Sequence, residues 1–192
     1  MLMDWGSSLV LALPVLAVVV WYLRTHRRFS IGRLVAVVCL AVYLLLVSKY
    51  TIFPLRLDSE SIAALRHQSQ LLDGVSLVPF RGWSPRYLTN VQVWGNIVLG
   101  MPWGFLLPFV VPVAGWRASV RYGAIFAFAI ELIQLAISLL YGFAYRVIDV
   151  NDVLLNFAGT MLGHALFRSG AWLVGRSDVV VKFGPASEVK GS

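Results

Sequence analysis

Long apolar runs separated by short polar connections set the pattern of this chain. Five of the runs, roughly 5–23, 34–53, 93–115, 122–142 and 151–174, are long enough to cross a bilayer. At a rise of ~1.5 Å per residue each covers ~30 Å of hydrocarbon as an α-helix. The expected fold is all-α, a polytopic membrane bundle of about five transmembrane helices. Arg168 interrupts the last run near one end. The one long connection spans about 54–91. Within it, 58–72 predicts a short helix with Ile62, Leu65 and Leu72 on one side, suited to lying on a leaflet. The segment 76–80 (Ser-Leu-Val-Pro-Phe) is apolar but too short to cross. A surface turn and a re-entrant plug both fit it.

Composition agrees with a membrane-embedded chain. The 192 residues are 59% hydrophobic and 13% charged, too little polar surface to cover a soluble core of this size. A net charge of +7 raises the possibility of nucleic-acid binding, but no basic stripe interleaved with aromatics supports it, and the charges sit at span ends. They read as topology signals instead. Segments 24–33, 114–121 and 168–192 carry four, two and four Lys/Arg. On the other side Arg56, Arg66, Arg81, Arg86 and Arg146 are offset by Asp4, Asp58, Glu60, Asp73 and Asp149. The positive-inside rule then places the N-terminus outside and the C-terminus in the cytoplasm. Arginines follow the first apolar run rather than precede it, which predicts an uncleaved helix. Residues 1–175 are expected to form one membrane domain, with 176–192 a polar cytoplasmic tail. Cys39 is the only cysteine, so no intrachain disulfide forms.

The chemistry lies in two polar runs inside this apolar frame. Glu131 and Gln134 stand in the middle of 122–142, which contains no other charged residue. A carboxylate at the centre of a bilayer helix costs roughly 2.5–3.5 kcal/mol on insertion scales. The second run is Arg146-Val147-Ile148-Asp149-Val150-Asn151-Asp152, followed by Asn156, Gly159 and Gly163. At 100° per residue Asp152, Asn156, Gly159 and Gly163 share one face of the fifth span, flanked by Asp149 and Thr160. Ala124, Ala127, Glu131, Gln134, Ser138 and Gly142 share a face of the fourth, and Asn96, Gly100, Trp103 and Gly104 a face of the third. Stripes of small and polar residues face the interior of membrane bundles. Depth counting puts the polar groups in the outer half, so a cavity would open outward. Pro102 is expected to kink the third span and open room beside Gly100 and Gly104.

Three readings of the cluster stand open. In the first it is structural, with Glu131 protonated or paired with Arg146 and bridged by Gln134, Asn96 and Asn156. In the second it is a pocket for an outer-leaflet ligand. Asn96, Gln134, Arg146 and Asn156 would bind, Arg146 holding a phosphate or carboxylate, while Glu131, Asp149 and Asp152 act as acid and base. In the third, Glu131, Asp149 and Asp152 with Asn156 hold Mg²⁺ or Ca²⁺, which favour hard oxygen ligands. His164 sits deeper and off the main stripe, and reads as a packed, hydrogen-bonded residue.

These residues together resemble the VanZ-like family of small bacterial membrane proteins, over about 76–163. The matching pieces are Leu77-Val78-Pro79-Phe80, the run Gly95 to Pro108 with its Gly95-Asn96 and Gly104-Phe105-Leu106-Leu107-Pro108, and Glu131-x-x-Gln134. The last is Arg146-x-x-Asp149-x-x-Asp152-x-x-x-Asn156-x-x-Gly159-x-x-x-Gly163. Ser76 stands where an Asn is usual, and Gly100 and Trp103 stand where the family has other bulky aliphatic or aromatic residues. The family is named for a protein linked to teicoplanin resistance. The resemblance therefore implies a multi-pass protein of the bacterial cytoplasmic membrane with a role at the cell envelope. An outward-opening polar pocket would suit a lipid-linked wall precursor, a polyprenyl phosphate or a phospholipid head group. A non-enzymatic scaffold or a small transporter is the alternative, and only His164 offers a titratable group for a path through the inner half.

Overall fold

The computed structural model describes residues 31–52, 55, 58–68, 74–80, 87, 89–113 and 115–173. The expected first span, 5–23, and the tail lie outside the described residues. The elements are α1 (Ile31–Thr51), α2 (Ser59–Gln68), β1 (Val75–Ser76), α3 (Val91–Val110), α4 (Gly115–Tyr141), β2 (Ile148–Asp149) and α5 (Val150–Leu173).

Three helices start on an Asp or Asn that satisfies an otherwise orphaned amide of the first turn. Asp58 Oδ2 accepts from the Ser61 N–H at 3.1 Å, and hydrogen bonding from Ser61 holds this exposed carboxyl down at about 2. Asn90 Oδ1 accepts from the Gln92 N–H at 2.9 Å. Asp149 Oδ1 does the same for Asn151, also at 2.9 Å. At the other end of α4, Gly142 takes a left-handed φ of 74° and donates to the Ser138 carbonyl, a common way to stop a helix.

Among the described residues three helices, α1, α3 and α4, are long and apolar enough to cross a membrane. Their outward faces are apolar too: Val35, Val38, Val42 and Leu46 on α1 and Ile125, Phe128, Leu132 and Leu139 on α4 are exposed. Helices apolar on every side belong in lipid or in a large core. The fifth expected span is a helix of the expected length. Its polar and small positions, among them Asn151, Asp152, Asn156, Thr160 and His164, keep α5 out of the apolar set. Asn151, Asn156, Thr160 and His164 are buried against its neighbours instead, and Asp152 is half-buried. Helix α4 begins at Gly115, not near 122. Arg117 and Arg121 thus lie on its first turns rather than in a loop, exposed and free to extend towards water.

The core joins α1, α3 and α4 through Leu40, Tyr43, Val47, Leu107, Phe126 and Ile130. The Tyr43 hydroxyl donates to the Leu99 carbonyl, and Trp103 stacks on Phe126 at 4.9 Å while its indole N–H donates to the Tyr122 carbonyl. Trp103 thus locks α3 to α4.

The closest packing is between α3 and α5. A Cβ at Gly100 would overlap the Asn156 carbonyl, and one at Gly104 the Thr160 carbonyl. A Cβ at Gly159 would overlap the Ile97 carbonyl, and one at Gly163 the Met101 carbonyl. Two glycine pairs spaced by four therefore face each other, letting the backbones touch. The room beside Gly100 and Gly104 is filled by α5, which corrects the expectation that Pro102 leaves it open. Helix α3 continues through both Pro102 and Pro108.

One addition to the all-α expectation is a short parallel pair. Val75 lies opposite Ile148 and Ser76 opposite Asp149. It pins the 74–80 segment beside the start of α5. Beyond it, Leu77, Val78 and Phe80 form an exposed turn rather than a buried plug.

Candidate functional site

At one end of the bundle α1 and α4 finish, and α3 and α5 begin. The polar residues of all four meet there because their helices run in opposite directions. Helix α4 brings Glu131, which is 6% exposed and ten residues from both Arg121 and Tyr141. At helical rise that is about 15 Å from either. The Glu131 carboxylate accepts from the Asp149 N–H at 3.3 Å. The carboxylates of Asp152 and Asp149 both lie within electrostatic reach of it. The three predicted acidic residues therefore do come together.

Helix α5 and its lead-in supply most of the remaining site. Asp149 Oδ1 accepts from both the backbone and the side-chain amide of Asn151 at 2.9 Å. Asp152 accepts from the Gln92 amide at 3.1 and 3.3 Å. Asn96, one turn along α3, presents its side chain to the same carboxylate. The Asn96 amide nitrogen is buried short of hydrogen-bond geometry with any partner. Asn156, one turn below Asp152, is 1% exposed, and its Oδ1 has no hydrogen-bond partner among the described residues. A buried amide oxygen without a donor costs about 1–3 kcal/mol, so the network is not closed.

Two predicted residues have other engagements. Gln134 donates to the Thr51 carbonyl at 3.1 Å, and the Tyr145 hydroxyl takes the neighbouring Ile52 carbonyl at 3.2 Å. Together they satisfy the end of α1, a duty every helix end imposes. Arg146 lies with its guanidinium carbon 5.7 Å from the centre of the Tyr145 ring. Among the described residues no group of three or more His, Cys, Asp or Glu is arranged to hold a metal ion.

Two residues of the site were not singled out from sequence. Asn151, 1% exposed, accepts the Phe80 N–H at 2.8 Å while its amide holds Asp149. It couples the apolar 77–80 turn to the acidic cluster. Its place between two aspartates inside the motif was the available signal. Gln92 lies 60 residues from Asp152, and nothing in the sequence pairs the two. His164 is buried in the other half of the bundle, edge-on to Trp116 and stacked on Phe167. It packs there as expected, but against the expectation of a hydrogen-bonded histidine neither ring nitrogen has a hydrogen-bond partner among the described residues.

No curated protein and no solved structure matches this chain. The family model described as VanZ/LLP1 matches residues 38–174. That stretch runs from within α1 to the end of α5, with Glu131, Asp149, Asp152 and Asn156 inside it, and the chain belongs to the VanZ-like family.

Proposed function

We propose that this membrane protein binds or acts on a lipidic component of the bacterial envelope, at a pocket opening to the outer leaflet of the cytoplasmic membrane. The observation that carries the reading is an unclosed polar cluster in an apolar bundle. Glu131 is buried beside Asp149 and Asp152, and Asn156 Oδ1 is buried with no donor. Bilayer interiors penalise such groups, and they are commonly kept for a ligand or a proton. The exposed Leu77, Val78 and Phe80, tethered through Asn151, offer apolar surface beside the polar site. A lipid has both kinds of surface. Glu131 and Asp152 are the candidates for acid and base, Asp149 their positioning neighbour, and Arg146 the cation for a phosphate or carboxylate. A change in outer-leaflet lipid would alter access of an acylated glycopeptide of the teicoplanin type, linking this work to susceptibility.

A scaffold with a structural network is the second reading. It is favoured by the protein donors that Asp149 and Asp152 already have. Mass spectrometry of co-purifying lipids separates the two. The pocket reading expects the wild type to retain a defined lipid that Glu131→Gln and Asp152→Asn lose at normal expression. The same lipids in all three proteins would favour the scaffold. Gln keeps the volume of Glu and removes the cost of burying a charge, so the fold should survive.

A further inference from the structure

The site described above is rich in acceptors. Among the described residues Glu131 accepts one long bond, from the Asp149 N–H at 3.3 Å. Asp149 accepts from Asn151, and Asp152 accepts twice from the single Gln92 amide nitrogen, with the Asn96 side chain also turned towards it. An ionised carboxylate offers about four lone-pair positions, so these donors leave capacity over. Asn156 Oδ1 receives nothing at 1% exposure, one helical turn below Asp152 on the same side of α5. A ligand that completes this site brings donors rather than acceptors. It also brings positive charge, because three carboxylates within reach of one another repel unless a cation or proton intervenes.

Building on the lipid-binding reading, we infer that the head group accepted here is a primary ammonium. It carries three N–H donors, no acceptor and one positive charge. Its N–H groups would serve Glu131, Asp152 and the orphaned Asn156 Oδ1 together. A phosphate placed between Glu131 and Asp152, rather than at Arg146, would meet carboxylates of like sign where water is scarce, which is strongly disfavoured. A trimethylammonium has the charge but no N–H for Asn156. A hydroxyl has a donor but no charge. The apolar turn of Leu77, Val78 and Phe80 is fixed to the same cluster through Asn151, so acyl chains have a surface beside the amine. The ligand class is an amine-bearing lipid.

The test is lipid binding to the full-length protein in detergent by native mass spectrometry. The probes are phosphatidylethanolamine, phosphatidylcholine and phosphatidylglycerol with identical acyl chains. Phosphatidylethanolamine should bind about tenfold more tightly than either competitor, the worth of one charge-assisted hydrogen bond. The preference should fall below about threefold in Glu131→Gln and in Asp152→Asn. Equal binding of the ethanolamine and choline lipids, or preference for the glycerol lipid, would overturn the ammonium assignment while leaving a lipid site in place. An ethanolamine preference that both variants keep would also overturn it, because the amine would then be read elsewhere. Failure of the wild type to hold any of the three would remove the lipid reading itself. The wild-type comparison needs no variant, so a misfolded Glu131→Gln leaves the inference testable.

Discussion

At the residue scale, Asn151 and Glu131 show how burial separates a structural role from a chemical one. Asn151 spends its side chain on protein partners, accepting from Phe80 at 2.8 Å and donating to Asp149. Phe80 has a positive φ of 61°, a conformation costing an L-residue roughly 1–2 kcal/mol. The Asn151 bond therefore holds a strained turn. Asn151→Ala should destabilise the protein by about 0.5–1.5 kcal/mol, the net worth of a part-buried hydrogen bond. Thermal unfolding in detergent measures it, and an unchanged melting temperature would mean that the turn is held by other contacts. Glu131 differs, with one long bond from a backbone N–H. Its position was legible in the sequence as a lone charge in an apolar run. Its grouping with Asp149 and Asp152 was read from the sequence too, but the Gln92 amide that reaches Asp152 across 60 residues was not.

At the element scale the decisive feature is the contact between α3 and α5. Helical spacing put Gly100 and Gly104 on one face, and Gly159 and Gly163 on another. Only the packed structure sets the two pairs against each other's carbonyls. Gly159→Ala should cost at least about 1–3 kcal/mol, because the new methyl meets rigid backbone at Ile97 rather than a side chain that can turn away. Gly95→Ala on α3 is the control, with nothing within 4 Å of the added Cβ. It should be neutral or gain up to about 1 kcal/mol from helix propensity. Equal destabilisation by the two changes, seen by thermal unfolding, would contradict close backbone packing as the reason for the glycines. Three helix starts carry favoured capping residues, Asp58, Asn90 and Asp149, whereas α4 starts about two turns ahead of the position its apolar run predicts. The two-residue pairing of β1 with β2 was not. A pair that short has no periodicity to detect.

At the scale of the whole molecule, charge distribution predicts that the acidic cluster faces outward, with residues 168–192 in the cytoplasm. On a Cys39→Ser background, His67→Cys should react with a membrane-impermeant thiol reagent in intact cells and Ser187→Cys should not. The reverse pattern would invert the topology and turn the polar end inward. Divalent metal is the other whole-molecule question, because a resident ion would stabilise the folded bundle by mass action. No metal-holding group of three exists among the described residues, so chelator or millimolar Mg²⁺ or Ca²⁺ should leave the melting temperature unchanged. A rise with metal that Asp149→Asn and Asp152→Asn abolish would restore the cation reading of Glu131, Asp149 and Asp152.

Hydrophobic periodicity by itself determined that the chain is a helical membrane protein, roughly where its helices run, and which faces turn inward. It did so because burial in lipid or protein is set locally, residue by residue, by side-chain polarity at a 3.6-residue period. The family motif likewise lies along the sequence and was legible there. Tertiary structure alone decided what each polar residue does. It turned Gln134 to the end of α1, gave Asp152 to Gln92, set Asn151 to hold the 77–80 turn, and left Asn156 Oδ1 without a donor. It also set α5, the least apolar of the long helices, against α3 at backbone contact. Hydrogen bonds need a partner within about 3 Å in the right direction. Residues tens of positions apart meet that condition only after the helices have packed.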